Sequence, residues 1–287
     1  MKFVDADNFA CPIDGLVLAR QEKNLICSSG HNFDLSRQGY TNLLLVQHKS
    51  SRDPGDSKEM VIARKRFLET GAYNTIALAI AEQAEIELEK RSTAPFRILD
   101  AGCGEGYYLR VLESEAASWK HDSSLVLIGL DISKWAVQAA SSRSRNASWV
   151  VASNKHPPIL PGSLDLIICA FGFPCYAEFC QLLKPGGILL MADPGANHLV
   201  ELRRLVYLEL TNLEKERVGF QDNEFFEVER SADLAYTTLV TGSQNLHDLL
   251  LMTPHYFKSS REAKLGLLER DSLEITVDVK LNLLKKR

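Results

Sequence analysis

From about residue 94 onward, short apolar runs alternate with segments of helical period. Arg97–Ala101, Leu125–Asp131, Ser148–Ala152, Leu164–Ala170 and Gly187–Asp193 are each bounded by Gly, Pro, Asp or Ser, which marks them as strands. Apolar periodicity places helices at Ser57–Leu68, Thr75–Glu89, Lys134–Arg143 and His198–Leu213. Strands alternating with helices predict a parallel sheet with helices on both faces and right-handed crossovers. Further on, Tyr236–Thr241 and Leu273–Lys280 read as two more strands. The second alternates with period two, as an antiparallel or edge strand would. Five strands plus two make a seven-stranded, mostly parallel sheet. No repeat or low-complexity tract interrupts the pattern.

The first 45 residues are different in kind, with short strand-like pieces among turn residues. Cys11-Pro-Ile-Asp14 and Cys27-Ser-Ser-Gly-His31 have nearly the spacing of a knuckle-type zinc site. Such a site calls for cysteine at position 14, and aspartate is an acceptable if less common ligand. Two arrangements fit: zinc held by Cys11, Asp14, Cys27 and His31, or a zinc-finger-like fold that has lost its metal. In the second, Asp14 caps a turn and the cysteines are buried thiols. The division predicted is a module over 1–45, a linker over 46–60 and a larger domain over 61–287. In the linker, Pro54-Gly55 marks a turn, and Asp56 with Glu59 resembles a capping box opening a helix.

Composition bounds the function classes. The 287 residues are 45% hydrophobic and 24% charged, as in ordinary globular proteins. No apolar run approaches the ~20 residues of a membrane helix, and the N-terminus lacks the apolar core of a signal peptide. Six scattered cysteines suit a reducing cytoplasm better than a disulfide scaffold. The net charge of −4 hides a local excess. From Arg37 to Arg66 there are seven cations (37, 49, 52, 58, 64, 65, 66) against three acids (53, 56, 59), a balance of +4. Such a segment is able to grip a phosphate backbone, although a charge run is more often a solvated face.

The chemistry concentrates in Ile98-Leu-Asp-Ala-Gly-Cys-Gly-Glu-Gly106, with Gly129-Leu-Asp131 and Lys184-Pro-Gly-Gly187 each beside an apolar run. Gly102, Gly104 and Gly106 suit a strand-to-helix turn whose backbone presses against a ligand. Asp100 and Glu105 offer acceptors to a cationic ligand, and would repel a dinucleotide pyrophosphate. Asp131 ends the next strand, where a carboxylate accepts ribose hydroxyls, and Ile132 adjoins it. These elements resemble the S-adenosylmethionine site of a class I methyltransferase, a Rossmann-like α/β fold.

A closer resemblance covers nearly the whole chain. Gly39-Tyr-Thr-Asn-Leu-Leu, Gln47-His-Lys, Ser51-Arg-Asp-Pro-Gly-Asp56, Ala63-Arg-x-x-Phe67 and Gly71-x-Tyr73 occur in order. Cys103-Gly-Glu-Gly-Tyr-Tyr108, Leu183-Lys-Pro-Gly-Gly187, Pro194-Gly-x-x-His-Leu199 and Leu251-Met-Thr-Pro254 follow. Together they are similar to the large-subunit (23S) ribosomal RNA guanine-N1 methyltransferases, a family that includes the tylosin-resistance enzyme. The resemblance implies a zinc-binding, RNA-recognising N-terminal module and methylation of one guanine in a 23S hairpin. It implies that Tyr73, Gly104, Glu105 and His198 contact S-adenosylmethionine, and that Cys11, Asp14, Cys27 and His31 are the zinc ligands. Two features depart from the family pattern: Asp14 stands where the family has cysteine, and Phe171-Gly-Phe-Pro-Cys175 is richer in phenylalanine.

Guanine N1 carries a proton and faces the complementary base, so the enzyme must extrude the guanine, hold it and remove that proton. The carboxyl ends of the fourth and fifth strands are where open α/β sheets hold ligands. The candidates there are Phe171, Phe173, Pro174 and Cys175, with Asp193 as proton acceptor. Each phenylalanine also suits a core position. Two other readings fit the larger domain: a methyltransferase acting on a small molecule or protein, and a non-catalytic ribosome-binding factor. A homodimer is compatible with the RNA reading, since two copies would cradle RNA between two basic segments.

Overall fold

The computed structural model describes residues 1–49, 51–91, 95–121, 123–207 and 223–287. The N-terminal module contributes β1 (Lys2–Phe3), β2 (Ala19–Gln21), β3 (Asn24–Ile26), β4 (Asn32–Asp34) and β5 (Tyr40–Asn42). Two helices follow, α1 (Lys58–Glu69) and α2 (Asn74–Glu89). Ser57 caps α1 by accepting the Met60 N–H. Then come β6 (Phe96–Ala101), α3 (Tyr107–Ala116), β7 (Ser124–Asp131), α4 (Lys134–Ser141) and β8 (Ala147–Val151). They are followed by β9 (Leu164–Ala170), α5 (Tyr176–Leu182), β10 (Leu183–Pro194) and α6 (Val200–Val206). The chain closes with β11 (Phe226–Thr241), α7 (Ser243–Leu251), α8 (His255–Lys258), α9 (Arg261–Leu268) and β12 (Ser272–Lys286).

The main sheet runs β11-β12-β10-β9-β6-β7-β8-β5, with β1 paired to the start of β7 on the edge that β8 takes further along. The order reverses between β6 and β9, the switch point at which open α/β sheets bind ligands. β6 through β10 are parallel, and β12 is antiparallel to both β10 and β11. The expected seven strands are present, but this sheet has nine among the described residues. The two additions, β1 and β5, are only two and three residues long, too short to leave a periodic signature. β11 begins ten residues before the expected Tyr236, because its first half lies at the sheet edge with mostly exposed side chains and shows no apolar alternation. Of the helix expected over His198–Leu213, Val200–Val206 is observed, and 208–213 lies outside the described residues.

Each strand feeds two cores. Ile98, Leu127, Ile168 and Leu190 point to the face covered by α1, α2, α3, α4, α6 and α7. Leu99, Ile128, Ile167 and Leu189 point to the other, covered by Phe179 and Leu182 of α5 and by Phe9, Leu18 and Leu25 of the N-terminal module. The β8-to-β9 connection, 152–163, has no helix. The module lies over it, with a bridge between Phe9 and Ile159.

The turn between β6 and α3 is locked by one indole. Trp149 of β8 lies against Gly129 and Gly106, and its Nε1–H donates to the Ser144 carbonyl at 3.1 Å. A Cβ on Gly106 would stand 2.7 Å from the ring, and one on Gly129 would overlap it. Gly129→Ala is therefore expected to destabilise the protein by about 1–3 kcal/mol through overpacking. Urea unfolding would measure this, and adding Trp149→Phe should recover part of the loss.

Candidate active site and metal centre

In the N-terminal module two tight turns bring four ligand-type side chains together. Gly15 N–H donates to the Cys11 carbonyl and Gly30 N–H to the Cys27 carbonyl, each glycine at positive φ. The Leu16 N–H holds Asp14 Oδ1 at 3.1 Å, which leaves Oδ2 facing the cluster. Asp14 Oδ2 lies 3.0 Å from His31 Nδ1 and 3.5 Å from Cys27 Sγ. His31 Nδ1 is 3.4 Å from Cys27 Sγ and 3.5 Å from Cys11 Sγ. Zinc bonds of about 2.0–2.3 Å place tetrahedral ligands about 3.3–3.8 Å apart, and the ligand atoms of Cys11, Asp14, Cys27 and His31, all within 4.8 Å of one another, are gathered closely enough to take a zinc ion. The donor set of two sulfurs, one nitrogen and one oxygen is chemically suited to it, and aspartate restores the negative charge that a third cysteine would supply.

The second site is built at the carboxyl ends of β6, β7, β9 and β10. Gly102, Gly104 and Gly106 all take positive φ (93°, 54° and 84°), which side-chain-bearing residues rarely adopt. The Gly104 N–H donates to Asp131 Oδ2 at 2.9 Å and the Ser133 N–H to Oδ1 at 2.8 Å. The strand-end carboxylate thus pins the turn while keeping lone pairs for a further donor. Ile132 is half-buried and pressed by Gly55 of the linker. Asp100 is 1% exposed, and neither carboxylate oxygen has a hydrogen-bond partner. Burial, reinforced by the nearby Asp131, pushes its pKa up to about 8. A buried anion with no donor is costly unless a cation joins it, and the ammonium of S-adenosylmethionine is such a cation. Glu105 is differently committed: its Oε2 pairs with Arg143, while its buried Oε1 has no hydrogen-bond partner.

Above the turn stands an aromatic cluster. Phe171 takes φ +53°, a strained conformation for a non-glycine residue, and stacks on Tyr73 at 5.9 Å. Tyr108 and His198 complete the ring of contacts around Phe171. His198 Nδ1 accepts the Asp278 N–H at 3.2 Å, and burial lowers the ring's pKa to about 4. A neutral ring accepting at Nδ1 must carry its proton at Nε2, which lies 3.0 Å from the Tyr73 hydroxyl. His198 therefore donates to the Tyr73 oxygen and frees the Tyr73 O–H for a ligand. Tyr108 had no role in the sequence reading; its only signal is its place directly after the glycine turn.

The candidates sort by face. In β10, Leu190 and Ala192 belong to the helix-covered core, whereas Leu189 and Met191 belong to the other. Asp193 follows Met191, and its charge bears on Cys169 and Tyr176. Cys175 packs against the same core, and burial raises its thiol pKa. Phe173 is 75% exposed, with its carbonyl accepting from Asn154 Nδ2 at 3.3 Å. Asp193, Cys175 and Phe173 thus lie outside the aromatic cluster of Tyr73, Phe171 and His198, but the charges of Asp193 and of Asp100 on the glycine turn both bear on Cys169. The basic segment is also divided: Arg66 makes a bidentate pair with the fully buried Asp248, and Arg64 pairs with Asp56 at 2.6 Å. Lys49, Arg52 and Lys134 instead line, together with Asp53, a small cleft beside Trp135, with the Lys58 ammonium 5.8 Å over the indole.

Comparison with known proteins covers both sites. Residues 9–52 match the zinc-ribbon family described as RlmA, N-terminal, and residues 93–247 match a methyltransferase domain family. A Bacillus subtilis protein assigned as a 23S rRNA (guanine-N(1)-)-methyltransferase is 33% identical over 280 residues, 96% of each chain. A Micromonospora griseorubida protein with the same assignment is 32% identical over 76% of each chain. The 23S rRNA (guanine(748)-N(1))-methyltransferase of Streptomyces fradiae is 34% identical over 67% of this chain and 65% of its own.

Asp14→Ala should lower zinc retention, and Asp14→Cys should keep it, as read by metal analysis after dialysis against a chelator. The raised pKa of Asp100 gives a second expectation. Between its ordinary value and about 8 the folded protein holds a proton there that the unfolded chain has lost, so Asp100 erodes stability as pH rises through this window. A bound ammonium favours the carboxylate and expels that proton. Affinity for S-adenosylmethionine should therefore rise from pH 6 toward pH 8 with proton release, measurable by calorimetry in buffers of different ionisation enthalpy. Asp100→Asn should flatten this dependence.

Proposed function

The chain belongs to the 23S ribosomal RNA guanine-N1 methyltransferase family, and from that premise we propose that it methylates N1 of one guanine in a 23S hairpin, using S-adenosylmethionine. The observation that carries this reading is a match running through both the zinc-ribbon module and the methyltransferase domain. A small-molecule enzyme would need only the second. The bound cofactor supplies an electrophilic methyl group on a sulfonium.

The protein's own work is positional and acid–base. The glycine turn, Asp100 and Asp131 hold the cofactor, and Tyr73, oriented by His198, contacts it. The exposed ring of Phe173 receives the extruded guanine by stacking, with Cys175 lining the pocket. Asp193 accepts the N1 proton as the methyl arrives at that nitrogen. Residues 1–45 recognise the RNA, 46–60 link this module to the catalytic part at 61–287, and the cationic cleft beside Trp135 takes backbone phosphates. A homodimer around one RNA, acting in the cytoplasm, completes the proposal. No helix of the described residues is long and apolar enough to cross a membrane.

The test is methyl transfer to unmodified 23S RNA, read by reverse transcription. A methyl at N1 blocks the pairing edge, so extension should stop one nucleotide short of a single guanine and only with S-adenosylmethionine present. Tight cofactor binding without any such stop would move the substrate elsewhere. Asp193→Asn should lower turnover by about 10²-fold or more with cofactor affinity unchanged. Unchanged turnover would remove Asp193 from the mechanism.

A further inference from the structure

Arg64 is one of the seven cations of the basic segment, and the fold turns it inward. Its Nη2 donates to Asp56 Oδ2 at 2.6 Å and to the Met252 carbonyl at 3.1 Å. These bonds anchor the guanidinium between the linker and the turn after α7. Its Nε–H is buried and has no hydrogen-bond partner. A Cβ built on Gly104 would lie 3.5 Å from Arg64 Cδ, so the side chain runs directly over the glycine turn. Its charge also bears on Tyr73, Tyr108 and Asp131.

The turn and the guanidinium above it therefore carry unsatisfied groups of both signs: Asp100 and one oxygen of Glu105 are the acidic ones, and Arg64 is the basic one. Asp100 presents two buried acceptor oxygens without a donor, and Arg64 presents a buried donor without an acceptor. Unmade hydrogen bonds of charged groups are costly, and a ligand bearing both an ammonium and a carboxylate on one carbon would satisfy both at once. Building on the cofactor assignment above, we infer that Arg64 binds the carboxylate of the cofactor's amino-acid end while Asp100 binds its ammonium. Arg110 and Arg203 also have buried, unpartnered Nε atoms, but neither fits this role. Arg110 lies on the Tyr107 ring a turn into α3, and Arg203 donates to the Ala196 carbonyl on α6.

The arrangement also explains a local charge balance. Asp100 is raised by burial and by Asp131, and no cation relieves it. Arg64 is tied to Asp56 and is not paired with Asp100, an arrangement that suits a zwitterion rather than a direct ion pair. Because Asp56 lies in the linker, the position of Arg64 is set by the segment that joins the RNA module to the catalytic domain.

The experiment is equilibrium binding to the full-length protein of S-adenosylmethionine, its decarboxylated analogue and 5′-methylthioadenosine. The unmodified protein should prefer S-adenosylmethionine over the decarboxylated analogue by about tenfold or more. Arg64→Met should abolish that preference while leaving affinity for the decarboxylated analogue unchanged, which also certifies the fold. Arg64→Lys should restore part of it. An unmodified protein that binds both ligands equally, or an Arg64→Met variant that keeps the full preference, would overturn the inference. So would equal loss of both ligands in Arg64→Met and Arg64→Lys, which is the signature of a purely structural role. An unmodified protein that binds none of the three ligands would instead strike at the methyltransferase reading itself.

Discussion

A parallel sheet has to be covered on both faces, because its strands carry apolar side chains above and below. Here one face has its helices, and the other is one crossover helix short between β8 and β9. The N-terminal module fills that place. Phe9, Leu18, Leu25, Cys11 and Cys27 join the same core as Val126, Ile128 and Val150. β5 extends the sheet beside β8, and β1 pairs with β7. The metal-ligand turns are therefore part of the catalytic domain's packing. Two of the four ligand side chains, Cys11 and Cys27, are core residues of the whole protein. A metal held by these turns would tighten the cover over strands that also position Asp131.

The second constraint is electrostatic. Asp100, Asp131 and Glu105 crowd around one turn, and all three have raised pKa values, for which burial is the largest cause. Each is handled differently. Glu105 is neutralised by Arg143, Asp131 is held by two backbone N–H groups, and Asp100 is left bare. Asp100 is thus the one of the three with neither oxygen hydrogen-bonded. Carboxylates also divide the basic segment. Arg64 and Arg66 are drawn inward by Asp56 and Asp248, and the cations around Trp135 remain for a polyanion.

The sequence by itself determined the alternation of strands and helices, the glycine turn and the ligand spacing of the metal centre. Each rests on local rules: apolar runs bounded by turn residues, backbone conformations that suit glycine, and short separations along the chain. In the sequence, Asp100 and Asp131 stood out as cofactor candidates from their places at strand ends, whereas Tyr73 and His198 came from the family resemblance alone. What it could not reach were relations between distant segments. The two short strands added to the sheet carry no periodicity, and the first half of β11 lacks alternation because side chains on both of its faces are exposed. Arg64 read as one cation in a run, and only packing against Gly104, Asp56 and Met252 gave it a direction. The proton on His198 was likewise invisible until Asp278, eighty residues away, fixed which nitrogen accepts. Tertiary structure decided these points because hydrogen-bond partners and burial are properties of neighbours in space, and those neighbours are set by the fold as a whole.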